Sequence, residues 1–435
     1  MDISRRKVLA GAAGVAGAVA GAPLLSPQDA AAGPLAALPS PAASGIEHIV
    51  VVCMENRSFD HLLGWLPAAD GKQAGLSFAD QSGTVHPTHH LTTTQGCAWS
   101  DPNHSYDGGR TEYNNGACDG WLRASDVFSI GYYQQNDLPF LGKAAPAWTV
   151  CDNFFASTMG PTFPNRLYLW GAQTDRTSNT FSFTSIPTIF DRLAAAGVSR
   201  RYYYSDVPFS AMWGLRYLGF SKSLDTFFAD AAAGTLPAVS YVEPALFLEA
   251  VDGLSNDYHP HGDIRNGEAF LNRIYQAVTR GPGWPNTVLV FTFDEWGGFF
   301  DHVPPASAPD TNPAQTGLRG FRIPTLVVAP TAPRGSVAHG LYDHTSILKM
   351  IEWRYNLASL TPRDAAANNL AEVLDFGTPD LSAPQWDVPS VFVLPCFAQG
   401  GRSAAEAEAA RLQENADWAW LRGAAIEAGW PLRQR

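Results

Sequence analysis

The chain has 435 residues, 12% of them aromatic and 16% charged, and a formal net charge of −12 at pH 7. An acidic chain without a Lys/Arg cluster argues against nucleic acid as a partner and gives anionic membranes no electrostatic pull. The length suits one large α/β domain with insertions, or two domains.

Residues 1–32 read as an export signal. Ser4-Arg5-Arg6-Lys7-Val8-Leu9 opens a Gly/Ala-rich stretch running to about Leu25, and Ala30-Ala31-Ala32 follows as an A-x-A type cleavage site. Paired arginines mark the twin-arginine route, whose translocase would be the partner during export of a folded protein to the periplasm, cell wall or medium. An anchored helix is the alternative, but Gly and Ala dominate the run and it is short for a span. Cleavage after Ala32 would leave a formal charge of about −13. Residues 33–45 form an Ala/Pro/Ser linker, and the folded body begins at Ile46.

A first strand spans 48–54 (HIVVVCM), followed at once by Glu55-Asn56 and then Arg57-Ser58-Phe59-Asp60-His61. From about 64 to 133 the sequence turns polar and aromatic, with few strand or helix signals. A stretch that long without periodicity reads as a functional excursion over the sheet edge. It holds Asp101-Pro102-Asn103-His104. Order resumes at 137–140 and 148–155, and a Gly/Pro turn from Met159 opens a helix over 165–173. Thr162 in that turn reads either as a plain cap residue or as a hydroxyl beside N–H groups that stabilise an anion.

Strands at 199–204 and 238–242 alternate with helices at 186–196 and 267–280. A strand at 325–329 and a helix at 344–355 continue the pattern. The alternation predicts an α/β fold with a mainly parallel sheet and helices on both faces. The alanine-rich tail, 403–427, reads as a helix packed outside. Of the five cysteines, Cys97 and Cys118 in the excursion are the favoured disulfide pair, with Cys53 and Cys151 as buried thiols.

The most telling stretch is TVLVFTFDEWGGFFDHV, residues 287–303. Its apolar run reads as a strand buried on both faces, and ligands in such sheets sit beyond the carboxyl ends of the strands. Asp294 and Glu295 stand at that end. Adjacent carboxylates repel unless a cation or proton intervenes, and oxygen ligands suit a hard or borderline divalent metal. An isolated acidic pair could equally cap a turn. Glu55-Asn56, closing a second apolar strand, favours the metal.

Five motifs in order then carry a resemblance: Glu55 to His61; Gly160-Pro161-Thr162-Phe163-Pro164-Asn165-Arg166; His259-Pro260 with Gly267-Glu268-Ala269-Phe270; Asp294-Glu295 with Gly297 to Val303; and Asp343 to Leu348. Together they resemble the bacterial phosphoesterase family of non-specific phospholipases C and related acid phosphatases, over about 46–355. The resemblance implies an alkaline-phosphatase-like core, with 46–435 as a single phosphoesterase catalytic domain and an insertion at about 64–133. It implies one divalent metal ion held by Glu55, Asn56, Asp294, Glu295 and the hydroxyl of Thr162, the nucleophile. Mn²⁺, Ca²⁺, Mg²⁺, Fe and Zn²⁺ all stay open, the carboxylate-rich set weakening only the case for Zn²⁺.

His104 and His259 are expected to hold the phosphate and assist proton transfer. Asn56 and Arg166 are expected on the phosphate oxygens, with a salt bridge inside the sheet as the other reading of Arg166. Asp60, Asp301 and His302 are expected to orient the ligands from behind, and His344 to brace. The implied activity is that of a phospholipase C, cleaving the glycerol-side phosphodiester of phospholipids such as phosphatidylcholine through a phospho-threonine, with transient contact to a membrane surface. A phosphomonoesterase, and an inactive secreted binding protein, are the alternatives.

The leaving-group pocket is expected from the excursion together with Tyr202, Tyr203, Tyr204 and Trp213. Two departures stand out. Many relatives carry His after the acidic pair where this chain has Trp296, and the chain ends at Arg435 without room for the further β-rich domains of the longer phospholipases.

Overall fold

The computed structural model describes residues 38–247, 255–392 and 416–432. Eight strands form its central sheet: β1 (His48–Met54), β2 (Thr149–Cys151), β3 (Arg200–Tyr204), β4 (Ser221–Ser223), β5 (Val239–Val242), β6 (Thr287–Phe293), β7 (Leu326–Val328) and β8 (Ser336–Ala338). Their order across the sheet is β8-β2-β7-β6-β1-β5-β3-β4. β1 lies between β5 and β6 and parallel to both, with His48 opposite Thr287 and Met54 opposite Phe293. All seven residues of β6 are buried, as a β-branched and aromatic run must be when helices cover both faces of a sheet.

β7 stands where the sequence places it but runs antiparallel to β6 and β2. Parallel neighbours need a crossover, usually helical. Between β6 and β7 the only helix among the described residues is the single turn Pro313–Thr316, so the chain returns along the same side.

The helices that position the site are α1 (Phe59–Leu63), α2 (Tyr106–Tyr113), α3 (Thr162–Gly171), α4 (Ile189–Ala195), α5 (Leu224–Ala233), α6 (Ile264–Arg280), α7 (His344–Tyr355) and α8 (Ala416–Glu427). α5 packs on α6, and α3 on α7. α3 starts at Thr162, three residues before the expected start. Pro161 is the extended N-cap residue, and Pro164 falls in the first turn, where a missing N–H costs no helical hydrogen bond.

The excursion is more ordered than its composition suggests. It holds α2, capped by the Ser105 hydroxyl accepting from the Gly108 N–H, and the antiparallel pair Ser77–Ala79 with Val85–Pro87. It lies over the carboxyl ends of β1 and β6, where the Phe300 N–H donates to Ser129 and the Tyr133 N–H to His61. Elements this short are held by tertiary contacts, which leave no periodic signal.

Two expectations are corrected here. Cys97 is disulfide-bonded, but Cys118 is a buried free thiol like Cys53 and Cys151; the partner of Cys97 lies outside the described residues. Cys118 instead packs in an apolar cluster with Trp121, Trp296, Phe300 and Phe321. Tyr202, Tyr203, Tyr204 and Trp213, expected at the leaving-group pocket, are packed in the hydrophobic core. Trp213 stacks on Trp170 at 5.4 Å, and the Tyr203 hydroxyl donates to Asp230.

Of the expected tail helix, residues 403–415 lie outside the described residues. Its described part, α8, packs on the outside of the body through Trp418, Leu421 and Ala425, with Trp418 edge-on against Phe163 of α3, 5.4 Å between centroids. The expected leader, 1–32, also lies outside the described residues. Among those described, no helix is long and apolar enough to cross a membrane.

Candidate active site

The parallel register of β1 and β6 brings the acidic residues together. The ladder continues one step past the strands, with the Asp294 N–H donating to the Met54 carbonyl. Glu55-Asn56 and Asp294-Glu295 therefore leave the sheet side by side. The Asn56 amide donates from Nδ2 to Glu295 Oε1 over 2.8 Å. Gly297 and Gly298 then turn the chain with φ of +65° and +68°, a region open to glycine at no steric cost. A Cβ on Gly297 would lie 2.3 Å from the Asn56 carbonyl oxygen, so this approach also requires a residue without a side chain.

α3 delivers the remaining groups from its first turns. Thr162 Oγ1 donates to Glu55 Oε1 across 2.9 Å. Arg166, one turn on, donates from Nε to Asp294 at 3.0 Å and from Nη1 to Glu243 at 2.8 Å. Its Nη2 lies 3.9 Å from Glu55 Oε2. Arg166 is thus committed chiefly to carboxylates, the salt-bridge reading of the sequence. Asn165 fastens the helix start, its Oδ1 accepting from the Thr158 N–H and its Nδ2 donating to the Gly160 carbonyl.

All of these groups are buried: Thr162 is 1% exposed, Glu55 3%, and Asn56, Arg166, Asp294 and Glu295 fully buried. Three carboxylates, Glu55, Glu243 and Asp294, surround one guanidinium. Burial, reinforced by Asp294, pushes the Glu55 carboxyl up to about 8. Burial and Asp294 drive Glu295 well above the carboxylate range, and burial raises Asp294 against the pull of Arg166. Glu55 Oε2 and Asn56 Oδ1 are buried without a hydrogen-bond partner. Orphaned buried oxygens carry a desolvation cost that a cation removes. Three carboxylates, an amide oxygen and a hydroxyl form an oxygen set that fits a hard or borderline divalent ion.

The histidines stand on the more open side. His104 Nδ1 donates to the Pro102 carbonyl at 2.8 Å, which makes it the proton-bearing nitrogen and aims Nε2 at Glu295 Oε1, 3.9 Å away. The His259 ring meets it edge-on, 6.0 Å between centroids. Asp101 lies between them, 3.8 Å from His104 Nδ1 and 3.5 Å from His259 Nε2. Burial lifts the Asp101 carboxyl, but His259 and His104 together bring it below its ordinary value. The His104 and Asp101 side chains are 16% and 15% exposed, more open than the acids. The His259 loop is tied down by the Glu55 N–H donating to Asp257 and by Arg57 Nε donating to the Tyr258 carbonyl.

Asp60, Asp301 and His302 gather at a separate place. The guanidinium of Arg322 donates to Asp60 and Asp301 at 3.1 and 2.9 Å, and His302 Nδ1 pairs with Asp60 at 2.6 Å. None of their hydrogen bonds reaches Glu55, Asn56, Asp294 or Glu295; the cluster clamps the loop after β1 to the loop after β6. The three could in spacing hold a metal, but Arg322 already occupies the centre. His344 braces from below, bonded to the Phe293 carbonyl at 2.8 Å and to Ser157 at 3.1 Å. Trp296 points away from the acids, its indole N–H donating to Glu112 of α2 at 2.8 Å.

Three groups escaped the sequence reading. Glu243 ends β5 as Glu55 ends β1, so the strand-then-carboxylate signal was there to apply. Asp101 stands three residues before His104 in one short motif. Asp417 comes from α8: its Oδ2 accepts from Asn179 Nδ2 at 2.7 Å, and Asn179 Oδ1 accepts from the Phe163 N–H at 2.8 Å. Asp417 lies within electrostatic reach of His104 and His259.

A model of the Phosphoesterase family matches residues 46–358. "Phospholipase C B" of Mycobacterium tuberculosis is 30% identical over 443 residues, covering 81% of this chain and 82% of the relative. "Non-specific phospholipase C6" of Arabidopsis thaliana is 30% identical over 394 residues, covering 80% and 74%. Among solved structures, the lipoteichoic acid synthase LtaP from Listeria monocytogenes superposes with a TM-score of 0.39 and 9% identity over 90% of this chain and 95% of its own. With Glu55, Asn56, Thr162, Asp294 and Glu295 gathered at one buried site and the family match spanning all five motifs, the chain belongs to the Phosphoesterase family and is a phosphoric ester hydrolase.

Proposed function

We propose that the protein is a metal-dependent phospholipase C that cleaves the glycerol-side phosphodiester of phospholipids such as phosphatidylcholine, with Thr162 as nucleophile. The observation that carries this reading is the 2.9 Å contact of Thr162 Oγ1 with Glu55 at the N-terminus of α3. It is supported by relatives named phospholipase C.

Glu55, Asn56, Asp294 and Glu295, with the Thr162 oxygen, would hold a divalent cation. Such an ion lowers the pKa of a bound hydroxyl and neutralises charge on phosphate oxygens. The protein's own groups do the rest. Glu55 Oε1 takes up the Thr162 hydroxyl hydrogen, leaving the oxygen's lone pairs free for phosphorus. Attack opposite the glycerol oxygen forms the Thr162–phosphorus bond and breaks the bond to diacylglycerol, giving a phosphocholine ester of Thr162. The α3 N-terminus favours the anionic phosphorus centre, and Arg166 keeps the carboxylates in place. The Asn56 amide nitrogen and the Phe163 N–H already donate to Glu295 and Asn179, which moves the phosphate role expected of them toward the helix dipole.

His104 or His259, on the open side where the leaving group departs, protonates the glycerol oxygen; the same ring then takes a proton from the water whose oxygen bonds phosphorus. The Thr162–phosphorus bond breaks to release phosphocholine, and Glu55 returns its proton to the Thr162 oxygen. Asp101 stabilises the imidazolium. Thr162→Ala tests the reading: turnover of phosphatidylcholine and of a soluble chromogenic phosphodiester should both vanish, and retained turnover refutes the nucleophile. A phosphomonoesterase would share these groups; release of choline phosphate rather than inorganic phosphate distinguishes the two. Export by the twin-arginine route, supported by Arg5-Arg6, is part of the proposal, and an Arg5/Arg6→Lys variant should stay in the cytoplasm.

A further inference from the structure

Beyond the acids and histidines, one surface next to the site carries large apolar groups. Phe181 is 51% exposed and Phe183 54%. Both rings lean on Trp420 of α8, at 5.5 and 5.9 Å between centroids. Isolated exposed aromatics need no explanation, but three in contact form an apolar patch of the kind that marks an interaction site.

Its position is fixed by short links to the catalytic helix. Asn179, two residues before Phe181, accepts from the Phe163 N–H and donates to Asp417. Asp417 and Trp420 are three apart on α8 and so share a face. The charges of His104 and His259 act on Asp417. The rings are therefore tied to the first turn of α3, which carries Thr162.

The surrounding sequence narrows the partner. Residues 177–188, TSNTFSFTSIPT, hold no charged residue, and hydroxyls alternate with the rings. Rings flanked by hydroxyls match the water–lipid boundary, where aromatic side chains concentrate. A chain of net charge −12 is repelled by anionic lipid, so the matching surface is zwitterionic.

We propose that Phe181, Phe183 and Trp420 form an interfacial docking patch that seats the protein on a zwitterionic phospholipid surface with the histidine side of the site facing the lipid. This deepens the phospholipase reading and rests on it for the identity of the lipid. Seating draws the rings from water at the boundary and presents a head group to Thr162 without lifting the whole lipid into solution.

The test uses the Thr162→Ala protein, so that lipid is not consumed, with and without Phe181→Ser/Phe183→Ser, sedimented with sucrose-loaded phosphatidylcholine vesicles. The double substitution should lower vesicle partitioning about tenfold or more. In the otherwise wild-type enzyme it should lower vesicle hydrolysis in parallel while changing turnover of soluble p-nitrophenyl phosphocholine by less than about twofold. Trp at both positions should restore partitioning, which separates ring loss from misfolding.

Unchanged partitioning overturns the proposal. So does a double substitution that turns a dimer into a monomer and leaves vesicle binding intact, which would make the patch a contact between copies. If the wild type hydrolyses neither substrate but ring-dependent vesicle binding persists, the phospholipase reading falls and the docking surface stands.

Discussion

Thr162 Oγ1 and Glu55 Oε1 lie 2.9 Å apart although 107 residues separate them in the chain. One sits at the first turn of a helix, the other one step beyond a strand, and the contact fixes the hydroxyl against the acidic cluster. Removing that hydroxyl removes the attacking atom. Thr162→Ala should lower kcat by about 10³-fold or more with the fold intact, and Thr162→Ser should retain part of it. Steady-state kinetics beside circular dichroism checks both.

Chelation should abolish turnover, and readdition of one of the candidate divalent ions should restore it. The stripped protein should also acquire a distinctive pH dependence. Glu55 has a folded pKa raised to about 8, so above its ordinary value the native state binds more protons than the unfolded one, and stability falls as pH rises toward 8. Urea titrations of stripped and metal-loaded protein between pH 5 and 8 should diverge, the stripped form weakening as pH rises.

His344 titrates in the opposite sense. Burial holds its folded pKa down at about 4 despite the Phe293 carbonyl. Below the ordinary histidine value the unfolded state binds more protons, so its contribution, present at neutral pH, is lost as pH falls from about 6.5 to 4 and amounts to at most about 3 kcal/mol. His344→Gln should flatten that part of the stability curve, measured by urea midpoints at pH 7 and 4.5.

Trp296 fills the apolar cluster under α2 and pairs with a buried carboxyl. Trp296→Phe should destabilise by about 1–3 kcal/mol, because Glu112 loses its donor. Trp296→Ala should cost about 3–5 kcal/mol through the cavity. Calorimetry reads both, and soluble-ester turnover at a temperature well below melting should survive in the Phe variant.

Asp101 faces both histidines at under 4 Å. Asp101→Asn removes the charge that favours an imidazolium, so kcat should fall by about 10–100-fold and the ionisation assigned to the histidines should move to lower pH. A pH–rate profile of a soluble substrate checks this; a simple loss of fold would lower the rate without moving the profile.

The sequence was most legible where burial left a local mark. β1 and β6 are apolar at nearly every position, and each hands its acidic residues to the same side of the sheet, so the pairing of Glu55 with Asp294 could be anticipated. Thr162 was readable because proline and glycine bracket it. What could not be read depended on contacts between distant segments. β7 runs antiparallel because of what joins it to β6, a property absent from its own three residues. Cys118 is buried beside Trp121 rather than bonded to Cys97, and Tyr202 turns its hydroxyl inward to Glu243. Asp417, on a helix beyond the five motifs whose alanine-rich sequence reads as surface, is linked through Asn179 to the start of α3.

The central claim is that Thr162 carries the phosphorus between substrates. Acid-quenching the enzyme during turnover of phosphatidylcholine, followed by mass spectrometry of the peptide spanning Thr162, tests it most directly. The account predicts phosphocholine esterified to Thr162, absent from Thr162→Ala. Full turnover with that peptide unmodified, or with the ester on another residue, would contradict it.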